Sequence, residues 1–251
     1  MTVGHTQKPG RMHNLLAAGF ILLAAICFLE GAKEPWEQQK IQRAYESVAE
    51  AADASGDDGR ERVWRSPIDF EALSAMNPDT VGWIRIPDTK IDYPIVQGSD
   101  NQAYLYKSFQ GEEADAGCIF LDFESRSDLR GYNNVLYGHN MKNGTMFADL
   151  VRYKDERYFR EHPYFKIYTP KETICLRAVA CYYIEDDSRA RTMVFQDQEA
   201  FEAFVREILS PCPYAEMPGK PVRNLYTLIT CSYEAEDART LLFAVEADGV
   251  W

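Results

Sequence analysis

Three side chains in the second half of the chain could together carry out covalent acyl chemistry: His139, Cys231 and Arg239. A cysteine thiol is a weak nucleophile until deprotonated, and a neighbouring imidazole can take that proton and later return it to a leaving group. A guanidinium can stabilise the oxyanion of a tetrahedral intermediate. Each residue alone has a plain reading: a strand-end Cys as core, an Arg as a solvated charge, a loop His with no role. Their local settings single them out. His139 follows Gly138, whose freedom permits a sharp turn, after the apolar run Val135-Leu136-Tyr137 and before the polar loop 140–144. Cys231 closes Thr227-Leu228-Ile229-Thr230, and Arg239 opens the next apolar run. Functional groups often gather at such strand ends. Of the remaining histidines, His5 and His13 lie in the N-terminal tail, and His162 precedes Pro163 in what reads as a surface turn.

Short apolar runs with turn punctuation must position these groups. Eight candidate strands cover 83–86, 91–96, 118–123, 134–137, 164–168, 173–184, 226–231 and 241–246. Two helical stretches interrupt them, at 145–153 and 197–209; the second carries Phe201, Phe204, Val205, Ile208 and Leu209 at core-facing spacing. Ser66-Pro67 reads as the N-cap and first residue of a further short helix reaching Met76. The sum predicts a mainly β fold: an eight-stranded closed or nearly closed barrel with helices packed outside it.

Composition narrows the function classes. The chain has 251 residues, 46% of them hydrophobic, and a net charge of −12, which argues against nucleic acid as a partner. Six cysteines are too sparse and irregular for a disulfide scaffold. Cys175 and Cys181 share one predicted strand, about 20 Å apart at the rise of an extended chain, beyond disulfide reach. With no CxxC pair a structural metal is not expected, nor is any cofactor. Cys118, Cys175 and Cys181 read as buried small apolar residues, while Cys212, in Pro-Cys-Pro, has no assignment.

The N-terminal region has its own pattern. Lys8 and Arg11 stand before the uninterrupted apolar run 15–29, and every acid stands after it. This suggests a cytoplasmic tail (1–14), a transmembrane signal anchor (15–32) and an external bulk. The run is short for a span, so a cleaved signal peptide and, less readily with Ile26 before Cys27, a lipoprotein signal are alternatives. Residues 33–65 form an expected helical stalk ending in the linker 54–59, and 66–251 the catalytic domain.

The order of four separated motifs carries a family resemblance. Thr227-Leu228-Ile229-Thr230-Cys231 followed by Arg239 resembles the TLxTC signature of sortases, and Asn134-Val-Leu-Tyr-Gly-His139-Asn-Met their catalytic His segment. Gly82-Trp-Ile-Arg-Ile-Pro87, Ile91-Asp-Tyr-Pro-Ile-Val-Gln97 and Ala116-Gly-Cys-Ile-Phe-Leu-Asp122 are similar to the early strands of class B members, which also carry a helix before the Cys strand. The resemblance covers about residues 66–251. It implies a membrane-anchored cysteine transpeptidase that cleaves a C-terminal sorting motif after Thr in secreted proteins. The acyl group would pass to a peptidoglycan-precursor amine, or to a pilin Lys in polymerising members. Cys231 would be the nucleophile, His139 the general acid and base, and Arg239 the positioning and oxyanion-stabilising cation. Asn101, Leu105 and Tyr137 would line the substrate groove, with Thr230 contributing its hydroxyl or amide. One departure is Ile229, where class B members often have Ser. A hydrolytic cysteine protease and a non-catalytic sorting-signal-binding barrel are the rival readings; the His-before-Cys order differs from papain-like enzymes.

Overall fold

The computed structural model describes residues 42–52, 66–231 and 237–247. The expected tail, anchor run and linker lie outside these residues, as does most of the stalk. Among the described residues no helix is long and apolar enough to cross a membrane. The chain divides into two compact units, 1–43 and 44–251, and the barrel lies in the second.

Eight strands form it: β1 (Thr80–Arg85), β2 (Asp92–Val96), β3 (Ile119–Leu121), β4 (Asn133–Tyr137), β5 (Tyr164–Tyr168), β6 (Thr173–Ile184), β7 (Leu225–Cys231) and β8 (Arg239–Glu246). They close in the order β1-β2-β3-β4-β7-β8-β6-β5, with β5 returning to β1, so no edge is left to pair with another chain. The β2–β3 and β4–β7 pairs are parallel. Parallel neighbours cannot be joined by a tight hairpin, and the long connections they require carry much of the site. The first, 97–118, holds Asn101 and Leu105; the second, between β4 and β7, begins with Gly138 and His139.

The helices pack outside. A helix over 42–52 (α1) buries Tyr45, Val48 and Ala52, three and four residues apart along one face. The second helix, α2 (Phe70–Met76), starts later than expected. Its cap is Asp69, whose carboxylate accepts from the Ala72 amide at 2.9 Å, while Ser66 accepts from the Ile68 amide. Ile68 is buried and the Asp69 amide bonds to the Ala52 carbonyl, which ties this stretch down outside the helix until residue 69.

The stretch expected as a helix at 145–153 is a 3-10 helix over Ala148–Lys154, followed by α3 (Glu156–Glu161). Met146 has a left-handed φ of 57°, which no helix continues through, and its amide donates to the Tyr93 hydroxyl at 3.2 Å. His162 caps α3 and stacks on Tyr158, with ring centroids 4.1 Å apart, rather than standing free in a turn.

The last helix, α4 (Gln198–Leu209), matches expectation and is capped by Asp197. Its five buried apolar side chains pack on Val135, Ile229, Leu241 and Phe243 of the barrel wall, each contributing roughly 1.5–3 kcal/mol. Cys212 is buried in the same cluster. Cys118 and Cys181 are buried as expected, but Cys175 is half-buried, because β6 alternates at its start and residue 175 falls on the more open face.

Candidate active site

Strand register alone brings the three chemical residues to one end of the barrel. In the parallel β4–β7 pair, Tyr137 is level with Ile229. The Gly138 amide donates to the Ile229 carbonyl at 3.2 Å, and Asn140 Nδ2 donates to the Cys231 carbonyl at 2.9 Å. Continuing the register two residues past Tyr137 sets His139 beside Cys231. On the other side, the antiparallel β7–β8 pair places Cys231 opposite Arg239. All three residues are half-buried.

Side-chain alternation fixes their face. Cys231 shares a face with Ile229, and Arg239 with Leu241, and both apolar residues belong to the core under α4. The pair therefore extends the helix-covered face by one step beyond its apolar part. Ile229, at the position where Ser was noted, is 2% exposed and packs in that core. Thr230 falls on the opposite face; its hydroxyl oxygen is buried and has no hydrogen-bond partner among the described residues. Its hydroxyl and the Cys231 thiol thus belong to different faces of β7. Among the described residues the Arg239 bonds run from Nη1 to the Asp237 and Ala238 carbonyls, at 2.9 and 3.2 Å.

His139 is held from several sides. Its Nε2 lies 2.7 Å from the Leu105 carbonyl oxygen. A carbonyl can only accept, so in the neutral ring Nε2 carries the proton and Nδ1 the lone pair. Tyr106 places its ring 5.5 Å from the imidazole and is 61% exposed, covering His139 from the solvent side. The His139 carbonyl accepts from the Phe147 amide at 2.9 Å, closing the loop that follows.

Two glycines make this cradle possible. Gly138, expected to permit a sharp turn, owes its identity to close approach. A Cβ there would run into Ile119 and stand 2.7 Å from Phe147 Cγ, both fully buried. Gly117 has φ +53°, and its Cβ would meet the Tyr104 carbonyl oxygen at 2.7 Å, in the segment that presents the Leu105 carbonyl. Replacing Gly138 by Ala is expected to destabilise the chain by about 1–3 kcal/mol, the usual cost of overpacking. A urea unfolding series reads this directly, and an unchanged midpoint would refute the close-packing account.

The candidate groove residues are tied together. Tyr137 and Asn101 both bond to one oxygen, Oδ2 of Asp122, at 2.9 and 2.8 Å. Burial, and then the Asp122 charge, push the Tyr137 hydroxyl well above the usual tyrosine range, so it remains a donor. Leu105 contributes its backbone carbonyl to His139, while its side chain is half-buried. Sequence reasoning missed Asp122, Asn140 and Tyr106. Asn140 and Asp122 each stand inside a quoted motif, directly after His139 and at the end of the third strand motif, but without a role.

Comparison with known proteins matches residues 84–247 to the family model described as Sortase domain. Sortase B of Listeria monocytogenes is 35% identical over 167 residues, covering 65% of this chain and 67% of that protein. The crystal structure of sortase B from Bacillus anthracis in complex with AAEK1 is 28% identical, with a TM-score of 0.74, covering 84% of this chain and 98% of that one. A crystal structure of sortase B complexed with triglycine is 25% identical, with a TM-score of 0.73, covering 83% and 97%.

Proposed function

The chain belongs to class B of the sortase family of cysteine transpeptidases, and on that premise we propose that it cleaves a sorting motif after Thr and transfers the new acyl group to an amine. The convergence of Cys231, His139 and Arg239 at one barrel end is the observation that carries the reading. Cys231 Sγ, its proton given up to His139, bonds to the Thr carbonyl carbon. Arg239 balances the oxyanion. The C–N bond then breaks as His139 returns the proton to the departing amine, leaving a thioester on Cys231. An incoming amine attacks that thioester, His139 takes its proton, and the thiol is released. With Nε2 engaged by the Leu105 carbonyl, Nδ1 is the nitrogen that exchanges protons.

Tyr137, Asn101 and Leu105 line the proposed substrate groove, whereas Thr230, paired with Thr240 of β8 and with its hydroxyl buried, is not given a substrate contact. A peptidoglycan-precursor amine is the proposed acceptor, which the triglycine-bound relative supports. The run 15–29, with basic residues before it, anchors the chain in this reading, with the catalytic unit outside the membrane. Substrates held at the same membrane then meet the enzyme at raised local concentration.

The test uses a library of peptides with Thr fixed at one position, followed by mass spectrometry with and without triglycine or a diaminopimelate-type amine. Cleavage after Thr with amine-dependent ligation is expected. Cleavage that ignores the amine would show a hydrolase. No cleavage together with an unreactive Cys231 thiol would show a binding barrel.

A further inference from the structure

Asp122 follows β3 directly and is 0% exposed. A carboxylate buried so deeply is costly unless it is bonded and paired, and nothing in the proposed chemistry uses it. Its partners explain why it is tolerated. Oδ1 accepts from the Glu124 amide at 3.0 Å, and Oδ2 accepts from Asn101 Nδ2 and the Tyr137 hydroxyl. Arg191 Nη2 lies 3.6 Å from the same oxygen, and its guanidinium sits over the Tyr137 ring at 5.7 Å.

These partners come from one strand end and two separate connections. Asn101 lies between β2 and β3, Tyr137 ends β4 two residues before His139, and Arg191 lies between β6 and α4. The Arg191 segment is itself fastened by Asn133 Nδ2, which donates to the Ala190 and Thr192 carbonyls at 2.7 and 3.0 Å. Asn101 is held at both ends of its amide, since its Oδ1 accepts from the Phe123 amide at 3.1 Å. Tyr137 is fixed in plane by Phe120, stacked at 5.1 Å. Both residues are thus locked in rotamer by one buried carboxylate.

Resting on the transpeptidase reading above, we propose that Asp122 is a positioning residue that sets the substrate groove by holding Asn101 and Tyr137 on a single oxygen, with Arg191 as its counter-charge. It touches no reacting atom. Its removal therefore weakens peptide capture and leaves the reactivity of the thiol alone. Asparagine cannot replace it. One face of the amide becomes a donor, and it must oppose either the Glu124 amide or the Asn101 and Tyr137 donors.

The experiment measures kcat and KM of the full chain with the best peptide from the Thr library, alongside alkylation of Cys231 by iodoacetamide. Asp122→Asn is expected to raise KM about 10-fold, the size of a lost charge-assisted hydrogen bond. Both kcat and the alkylation rate should stay near those of the unaltered chain. Tyr137→Phe should raise KM by a smaller factor, and the double variant should be no worse than Asp122→Asn, because the hydroxyl acts through the carboxylate. An unchanged KM in Asp122→Asn, or single effects that multiply, overturns the proposal while leaving the transpeptidase reading intact. If Asp122→Asn does not fold, Asn101→Ala and Tyr137→Phe decide the question. Sharing Oδ2 predicts a combined rise in KM well short of the product, and a multiplicative rise overturns it. Failure of the unaltered chain to cleave any library member overturns the transpeptidase reading and the groove assignment with it.

Discussion

Cys231→Ala is expected to abolish both thioester formation and transfer, a loss on the order of 10⁴-fold or more, as for removal of other covalent nucleophiles. The thiol is the strongest nucleophile of the trio and the one that leaves a thioester for the amine, so its removal leaves no comparable route through His139 or Arg239. The other described cysteines do not offer substitutes. Cys118, Cys181 and Cys212 are buried, and burial pushes the Cys118 thiol up to about 12, so it stays protonated at neutral pH. Cys175 is half-buried, but it sits at the start of β6 beside β5, level with Lys166, on strands that do not carry the trio. Cys175→Ala is therefore expected to keep transfer activity and serves as the control. Intact-mass measurement after mixing with peptide checks both variants. A peptide adduct on Cys231→Ala, or its loss in Cys175→Ala with Cys231 intact, would move the nucleophile elsewhere.

The barrel was legible because its strands announce themselves locally. β5 and β6 fall at their expected bounds, Tyr164–Tyr168 and Thr173–Ile184, with Pro163 and Pro170 punctuating the ends of β5. The run expected at 118–123 shrinks to Ile119–Leu121, because Asp122 turns the chain through its bonds to Glu124 and Asn101. The two helix errors share one cause: a distant partner overrode a local preference. Ser66 lost the cap of α2 because residue 69 bonds back to Ala52, and the helix at 145 was cut short where Met146 reaches the Tyr93 hydroxyl. At the site, side chains with reactive groups could be read from their motifs. The Leu105 carbonyl that holds His139 could not, since every residue carries a carbonyl and only the fold selects one. Leu105 was singled out, but for its side chain rather than for this oxygen. Asp122 appeared only as the last letter of a strand motif, and its three long-range partners give it a different meaning.

His139→Ala is expected to lower transfer by roughly 10²–10⁴-fold, the usual contribution of a positioned general acid and base, while the variant remains folded. The imidazole has two separable roles, and a second variant divides them. His139→Gln can still donate an N–H to the Leu105 carbonyl, so it preserves the bond that orients the side chain. It has no atom that can take a proton from the thiol and return it to the leaving amine. If the role is proton transfer, His139→Gln is as inactive as His139→Ala, although its unfolding midpoint stays closer to that of the unaltered chain. If the role were only to brace the Leu105 segment beneath Tyr106, the Gln variant would recover most of the lost turnover. The cavity left in His139→Ala is bounded by the Tyr106 ring and the Leu105 carbonyl, and added imidazole fits its chemistry. Partial rescue by imidazole in His139→Ala, absent in Cys231→Ala, is the expected pattern in single-turnover assays. Turnover by His139→Gln within tenfold of the unaltered chain would remove His139 from the proton pathway and leave it as a brace.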